Sequence, residues 1–169
     1  LSIRRHLNDS LGLGNSLNNL GVTAIAEREY DRALEYIREG LAIRQANGDH
    51  GAVGYSTYAL ASAAFAQGRL DEARLLLGQC HDIFTQVADQ LGIAYVRSSL
   101  GYLEHDEQRD VEAAEAFAEA LGIRKVLGDR RGCLESIEGI AAVLGTLGHE
   151  ELGVTLFSVA AAIRQHFGL

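Results

Sequence analysis

Leu17-Asn18-Asn19-Leu20-Gly21-Val22-Thr23-Ala24 returns in outline forty residues later as Thr57-Tyr58-Ala59-Leu60-Ala61-Ser62-Ala63-Ala64. It returns again as Arg97-Ser98-Ser99-Leu100-Gly101-Tyr102-Leu103-Glu104, and finally as Ile137-Glu138-Gly139-Ile140-Ala141-Ala142-Val143-Leu144. Further columns keep the same step: Ala33, Ala73, Ala113 and Gly153; Ile37, Leu77, Phe117 and Phe157; Gly40, Cys80, Ala120 and Ala160; Ile43, Ile83, Ile123 and Ile163. Asp49, Asp89 and Asp129 mark the junctions, and Asp9 and Ile3-Arg4 carry the register backward. Five columns without an insertion identify a repeat protein, and a fixed period in this range implies stacked structural units.

Each unit holds two helical patterns. Leu17, Leu20, Gly21 and Ala24 fall at three- and four-residue steps, as do Ala33, Ile37, Gly40 and Leu41, and no stretch alternates as a strand does. The spacing predicts first helices near 10–27, 50–67, 90–107 and 130–147. Second helices are predicted near 30–47, 70–88, 110–127 and 150–167, after a leftover helix at 2–8. Gly48 and Gly128 suit left-handed helix ends, and the Asp after each suits an N-cap for the next helix. Gly21 and Gly101 lie inside helices, where glycine costs about 1 kcal/mol against alanine. Their recurrence predicts a close approach of helix backbones.

The 169 residues suit one domain, with units about 10–49, 50–89, 90–129 and 130–169 and residues 1–9 as the end of a preceding unit. A start at Leu1, with neither initiator methionine nor signal-like leader, reads as a piece of a longer protein. No apolar run is long enough for a membrane span. The net charge is −8 and Lys125 is the sole lysine, which argues against direct nucleic-acid binding. The arginines Arg28, Arg32 and Arg38 are interleaved with glutamates, and the run from Glu112 to Glu119 reads as a solvated helix face.

The chemistry-bearing residues do not converge. Lys125 sits in a predicted helix without a glycine-rich loop, and Gly12-Leu13-Gly14 follows no strand, so neither is a phosphate site. The six histidines form no i,i+4 pair, and two cysteines make neither a disulfide framework nor a four-ligand zinc site. Cys80 occupies a small-residue column and reads as packing. The expectation is a chain with no catalytic site, metal or cofactor.

Leu20-Gly21, Ala24, Ala33, Ile37 and Gly40 together resemble the tetratricopeptide (TPR) signature, and the resemblance extends over essentially the whole chain. It implies an all-α fold, a right-handed α-solenoid of about four helical hairpins plus the leftover N-terminal helix. The chain departs from the pattern in its 40-residue unit, in Leu17, Thr57, Arg97 and Ile137 where an aromatic residue is usual, and in having no proline. The long unit, the junction Gly48-Asp49-His50-Gly51 and the stretch Ser136 to Ala142 are similar in style to the C-terminal helical-repeat regions of large bacterial regulators of the LuxR/MalT and AfsR kind.

The resemblance also implies which positions of each first helix line a partner-binding wall: Asn15 and Asn18; Tyr55 and Tyr58; Tyr95, Ser98 and Tyr102; Glu135 and Glu138. Four of the six tyrosines fall there, as binding surfaces favour. With Glu135 and Glu138 making one end acidic, the wall suits a peptide carrying Arg or Lys. The expected role is a non-catalytic, cytoplasmic protein- or peptide-binding module, the interaction or effector-sensing region of a bacterial transcriptional or signalling regulator. The alternative is a small-molecule pocket between first-helix rows near Tyr58, Ser62, Tyr95, Ser98 and Tyr102. The last helix is apolar on more than one face, so another segment or a second copy, as a homodimer, is expected to cover the ends.

Overall fold

The computed structural model describes residues 1–168. Among them are nine helices and no strand: α1 (Ser2–His6), α2 (Ser10–Ala26), α3 (Tyr30–Ala46), α4 (His50–Ala66), α5 (Leu70–Gln86), α6 (Gln90–Asp106), α7 (Asp110–Leu127), α8 (Arg130–Thr146) and α9 (Glu150–Phe167). Helix starts therefore recur every twenty residues, half the period of the sequence. Within each compact unit, two or three residues join each helix to the next, which forces neighbours to run antiparallel.

The half-period comes from one connector used again and again. Asn8, Arg28, Gly48, Gly68, Ala88, Gln108, Gly128 and Gly148 all have positive φ, from 54° to 83°. The residue after each closes the helix from behind, as Asp49 N–H does on the Arg44 carbonyl at 3.1 Å and Asp129 N–H on that of Arg124 at 2.9 Å. Gly48 and Gly128 thus end helices as expected. Most helices stop one or two residues before the predicted ends, and α1 stops at His6, because the residues just before the left-handed position already belong to the turn.

Asp9, Asp49, Asp89 and Asp129 each accept a hydrogen bond from the backbone N–H three residues on, at 2.9 to 3.0 Å. The described caps of the second helices, Glu29, Arg69, Arg109 and His149, make no such bond. Those helices instead carry carboxylates in the first turn, such as Asp71, Glu72, Glu150 and Glu151, which favour the positive end of the helix dipole.

The chain forms two compact units, Leu1–Gly92 and a second beginning at Ile93. In the first, α2 pairs with α3 and α4 with α5, and Ile37 packs on Ala24, Ala33 and Ala59. In the second, α7 packs on α8 and α8 on α9, around Phe117, Ala113 and Val143.

The glycines inside helices are explained differently from the expectation. A Cβ on Gly101 would lie 2.8 Å from the Phe117 ring, and one on Gly139 would lie 2.6 Å from it. The close neighbour is an aromatic side chain seated between two helices, not a second backbone. At Gly21 the neighbour is likewise the Ile37 side chain, with the Ala33 carbonyl oxygen at 3.3 Å behind it.

Candidate partner-binding face

In the first unit the predicted wall residues lie on α2 and α4, and most of their polar atoms are engaged. Asn15 is exposed, and its Oδ1 accepts from Arg44 Nη2 at 2.9 Å. Asn18 Oδ1 accepts from the Ser56 hydroxyl at 3.3 Å. Tyr55 donates its hydroxyl to Asp89 Oδ2 at 2.8 Å, while its ring meets Phe84 edge-on with centroids 4.9 Å apart. Tyr58 is half-buried, and its carbonyl accepts from Ser62 Oγ at 3.0 Å.

Arg44, which the wall pattern omits, organises this set. It is only 7% exposed. Its Nη1 donates to the Ala52 carbonyl at 3.0 Å and to Ser56 Oγ at 2.6 Å, so one guanidinium at the end of α3 holds the first turns of α4 and the side of α2. Burial lowers its pKa against the pull of Asp49, yet guanidinium titration starts so high that the charge persists.

The second unit repeats the device. Arg124, 1% exposed, donates Nη1 to the Gly132 carbonyl at 2.7 Å and to Ser136 Oγ at 3.0 Å. Glu135 Oε2 lies 3.6 Å from Nη1, Asp129 Oδ2 lies 3.8 Å from Nε, and the Tyr95 ring faces the guanidinium at 5.6 Å. Arg164 at the same register position forms a two-pronged pair with Glu138 at 2.7 and 3.2 Å. Glu135 and Glu138 are therefore partnered by the chain's own arginines, which reduces the acidity that the sequence suggests for this end.

Tyr102 is a predicted wall residue open to a partner. It is 45% exposed, with its ring braced edge-on against Phe117 at a centroid separation of 4.9 Å. Desolvation first, and then Glu135 and Glu138, push its phenol above the usual tyrosine value, with Arg124 opposing. Ser98, by contrast, is buried, and its Oγ has no hydrogen-bond partner among the described residues.

The signal for the buried arginines was present but easily missed. Arg4, Arg44, Arg124 and Arg164 share one column, and Ser16, Ser56 and Ser136 share another twelve residues on. In the one unit where Phe84 replaces the arginine, Val96 replaces the serine. A cation and its hydroxyl partner are thus exchanged together for apolar residues, as expected where a lone buried polar group is costly.

Other candidates settle into structural roles. Cys80 is buried, its thiol donates to the Gly54 carbonyl at 3.7 Å, and desolvation pushes its pKa up to about 12, opposite to what a nucleophile requires. His105 Nδ1 meets Asp110 Oδ1 at 2.6 Å, tying the end of α6 to the start of α7. Hydrogen bonds from His105 and Thr146 hold the Asp110 carboxyl below the usual carboxylate range. Glu112, Glu115 and Glu119 face solvent, as the charge pattern predicts. Among the described residues no three His, Cys, Asp or Glu side chains are placed to share a metal ion, and no helix is long and apolar enough to cross a membrane.

Repeated helical hairpins, small residues at fixed inter-helix positions and one conserved connector geometry agree with the comparisons. Residues 12–86 match the tetratricopeptide repeat family. That stretch runs from α2 through α5. BtubC (BKLC) from P. vanneervenii has a similar fold, with a TM-score of 0.73 and 20% identity over 92% of this chain and 65% of that one. A Podosopora anserina protein described as a kinesin light chain with nearly identical TPR-like repeats gives a TM-score of 0.68 and 20% identity, covering 90% of this chain and 75% of that chain. The chain thus spans less than two thirds of the BtubC length, and identities this low speak for the fold alone. No curated protein matches the sequence. The fold is an all-α, TPR-like solenoid, an architecture generally used as a non-catalytic scaffold for protein–protein interaction.

Proposed function

We propose that this TPR-like chain is a protein- or peptide-binding module whose partner docks on the first-helix faces, and that it serves a bacterial transcriptional or signalling regulator as its interaction and effector-sensing region. The observation that carries the binding reading is Tyr102. A large aromatic ring stands 45% exposed while Phe117 fixes its orientation, and the negative charge of Glu135 acts on its phenol. A rigid exposed tyrosine with a carboxylate neighbour loses little entropy on binding and suits an arginine or lysine of a peptide. The regulator role rests on the long-unit resemblance, and partner capture would act by favouring one arrangement of the neighbouring domains.

Peptides selected on the folded chain from a random library test the reading. Enrichment in Arg or Lys is expected, with Tyr102→Ala weakening the selected peptides at least tenfold and Glu135→Gln weakening basic peptides more than neutral ones. Selection of acidic or charge-indifferent sequences, or affinity unmoved by Tyr102→Ala in a folded variant, would overturn it. A nucleotide-binding ATPase module in the flanking reading frame would support the regulator role.

A further inference from the structure

The second unit contains a cavity of about 330 Å³ where the end of α7, the start of α8 and the end of α9 meet. Its walls are mostly apolar, with Leu134, Ile137 and Ile163 as the main surfaces, and it carries two cations, Lys125 and Arg130. A volume of this size accepts a ligand on the order of ten to fifteen non-hydrogen atoms.

Three register comparisons set this hairpin apart from the earlier ones. Cys133 stands where the earlier units have Leu13, Val53 and Ile93, so the smallest side chain of that column falls here and opens space. Lys125 stands where the earlier full second helices have Gln45 and Thr85, and where α1 has Arg5. Arg130 stands where the earlier first helices have Ser10, His50 and Gln90. Only this hairpin combines a shortened apolar residue with two permanent cations, and Lys125 is the sole lysine of a chain with net charge −8.

The two cations are available to a ligand. No carboxylate pairs with Lys125 or Arg130 among the described residues, and Arg130 instead lies over the Phe167 ring at 5.6 Å. The adjacent Asp129 is already committed, capping α8 through Oδ1 and facing the Arg124 guanidinium through Oδ2. Apolar walls with unneutralised positive charge complement a molecule that is apolar at one end and anionic at the other.

We propose that this cavity binds a small amphipathic anion, an aromatic or short aliphatic carboxylate, with its apolar body on Leu134, Ile137 and Ile163 and its carboxylate toward Lys125 and Arg130. Titration with 2-naphthoate, followed by the probe's fluorescence, tests the proposal against the neutral isostere 2-naphthamide. Naphthoate is expected to bind at least tenfold more tightly than the amide. The pair of substitutions Lys125→Gln and Arg130→Gln is expected to remove that preference while leaving amide binding unchanged. Cys133→Leu, the residue at this register position in the first hairpin, is expected to fill the cavity and abolish binding of both. Should that variant fail to fold, naphthoate is expected to slow iodoacetamide alkylation of Cys133 in the unmodified chain at least fivefold. Absence of naphthoate binding up to millimolar concentration, equal affinity for the amide, binding that survives Cys133→Leu, or alkylation that naphthoate does not slow would each overturn the proposal.

Discussion

Replacing Gly139 with alanine separates helix propensity from packing, because the two act in opposite directions there. In an open helical position the change stabilises by about 1 kcal/mol. Gly122, on α7 with nothing within 4 Å of its missing Cβ, is such a position and serves as the reference. At Gly139 the new methyl would sit 2.6 Å from Phe117 Cε1 and 2.7 Å from Cδ1, closer than carbon atoms can approach. The ring has little room to retreat toward α6, where even a Cβ on Gly101 would lie within 2.8 Å of it. Overpacking of a filled core costs about 1–3 kcal/mol. Gly139→Ala should therefore be less stable than Gly122→Ala by about 1–3 kcal/mol, because the propensity gain is common to both and only the overpacking cost separates them.

The preceding repeat suggests a remedy, because forty residues earlier Leu77 stands in place of Phe117 and Ser99 in place of Gly139. Phe117→Leu added to Gly139→Ala should recover at least about 1 kcal/mol relative to the sum of the single changes. Urea denaturation followed by circular dichroism at fixed pH measures all four variants. Equal stability of Gly139→Ala and Gly122→Ala, or strict additivity with Phe117→Leu, would refute the claim that ring and glycines are matched in size.

Ala88 and Gln108 hold positive φ without being glycine, so Ala88→Gly and Gln108→Gly should each stabilise by about 0.5–1 kcal/mol, as urea midpoints would show. Arg124→Met should be destabilising by about 2–4 kcal/mol because Ser136 and the Gly132 carbonyl lose their buried donor, and adding Ser136→Val should restore part of the loss in the same melts. Cys80 binds its proton more tightly folded than unfolded, so stability should fall as pH rises from about 9 toward 12 and Cys80→Ala should flatten that slope. Asp110 is shifted the other way; its contribution is present above about pH 4 and disappears as pH falls through its lower folded value, so Asp110→Asn should flatten the acid arm of the stability profile.

Much of the fold was legible because its determinants are local and repeated. The Asp caps, the left-handed Gly48 and Gly128, and the apolar steps in each helix all act within a few residues of themselves, and the forty-residue register multiplies each signal. What stayed hidden was that every junction uses the same left-handed connector, because Arg28, Ala88 and Gln108 occupy positions that glycine usually marks. The candidate face was legible only in outline. Tyr55, Tyr95, Tyr102, Glu135 and Glu138 were singled out, but Arg124 and Arg164, which engage Tyr95 and the two glutamates, were not.

The sequence by itself determined the helical repeat, where each helix begins, and which small residues lie between helices, since these follow from periodicity and from capping chemistry that reaches only three or four residues. The tertiary structure decided what the long side chains do. Arg44 and Arg124 span from the end of one helix to the start of the next, Phe117 chooses two glycines on different helices, and Cys133 leaves a space that Leu134 and Ile163 border. Such choices depend on which flexible groups share a buried volume, and that volume exists only once the hairpins have packed.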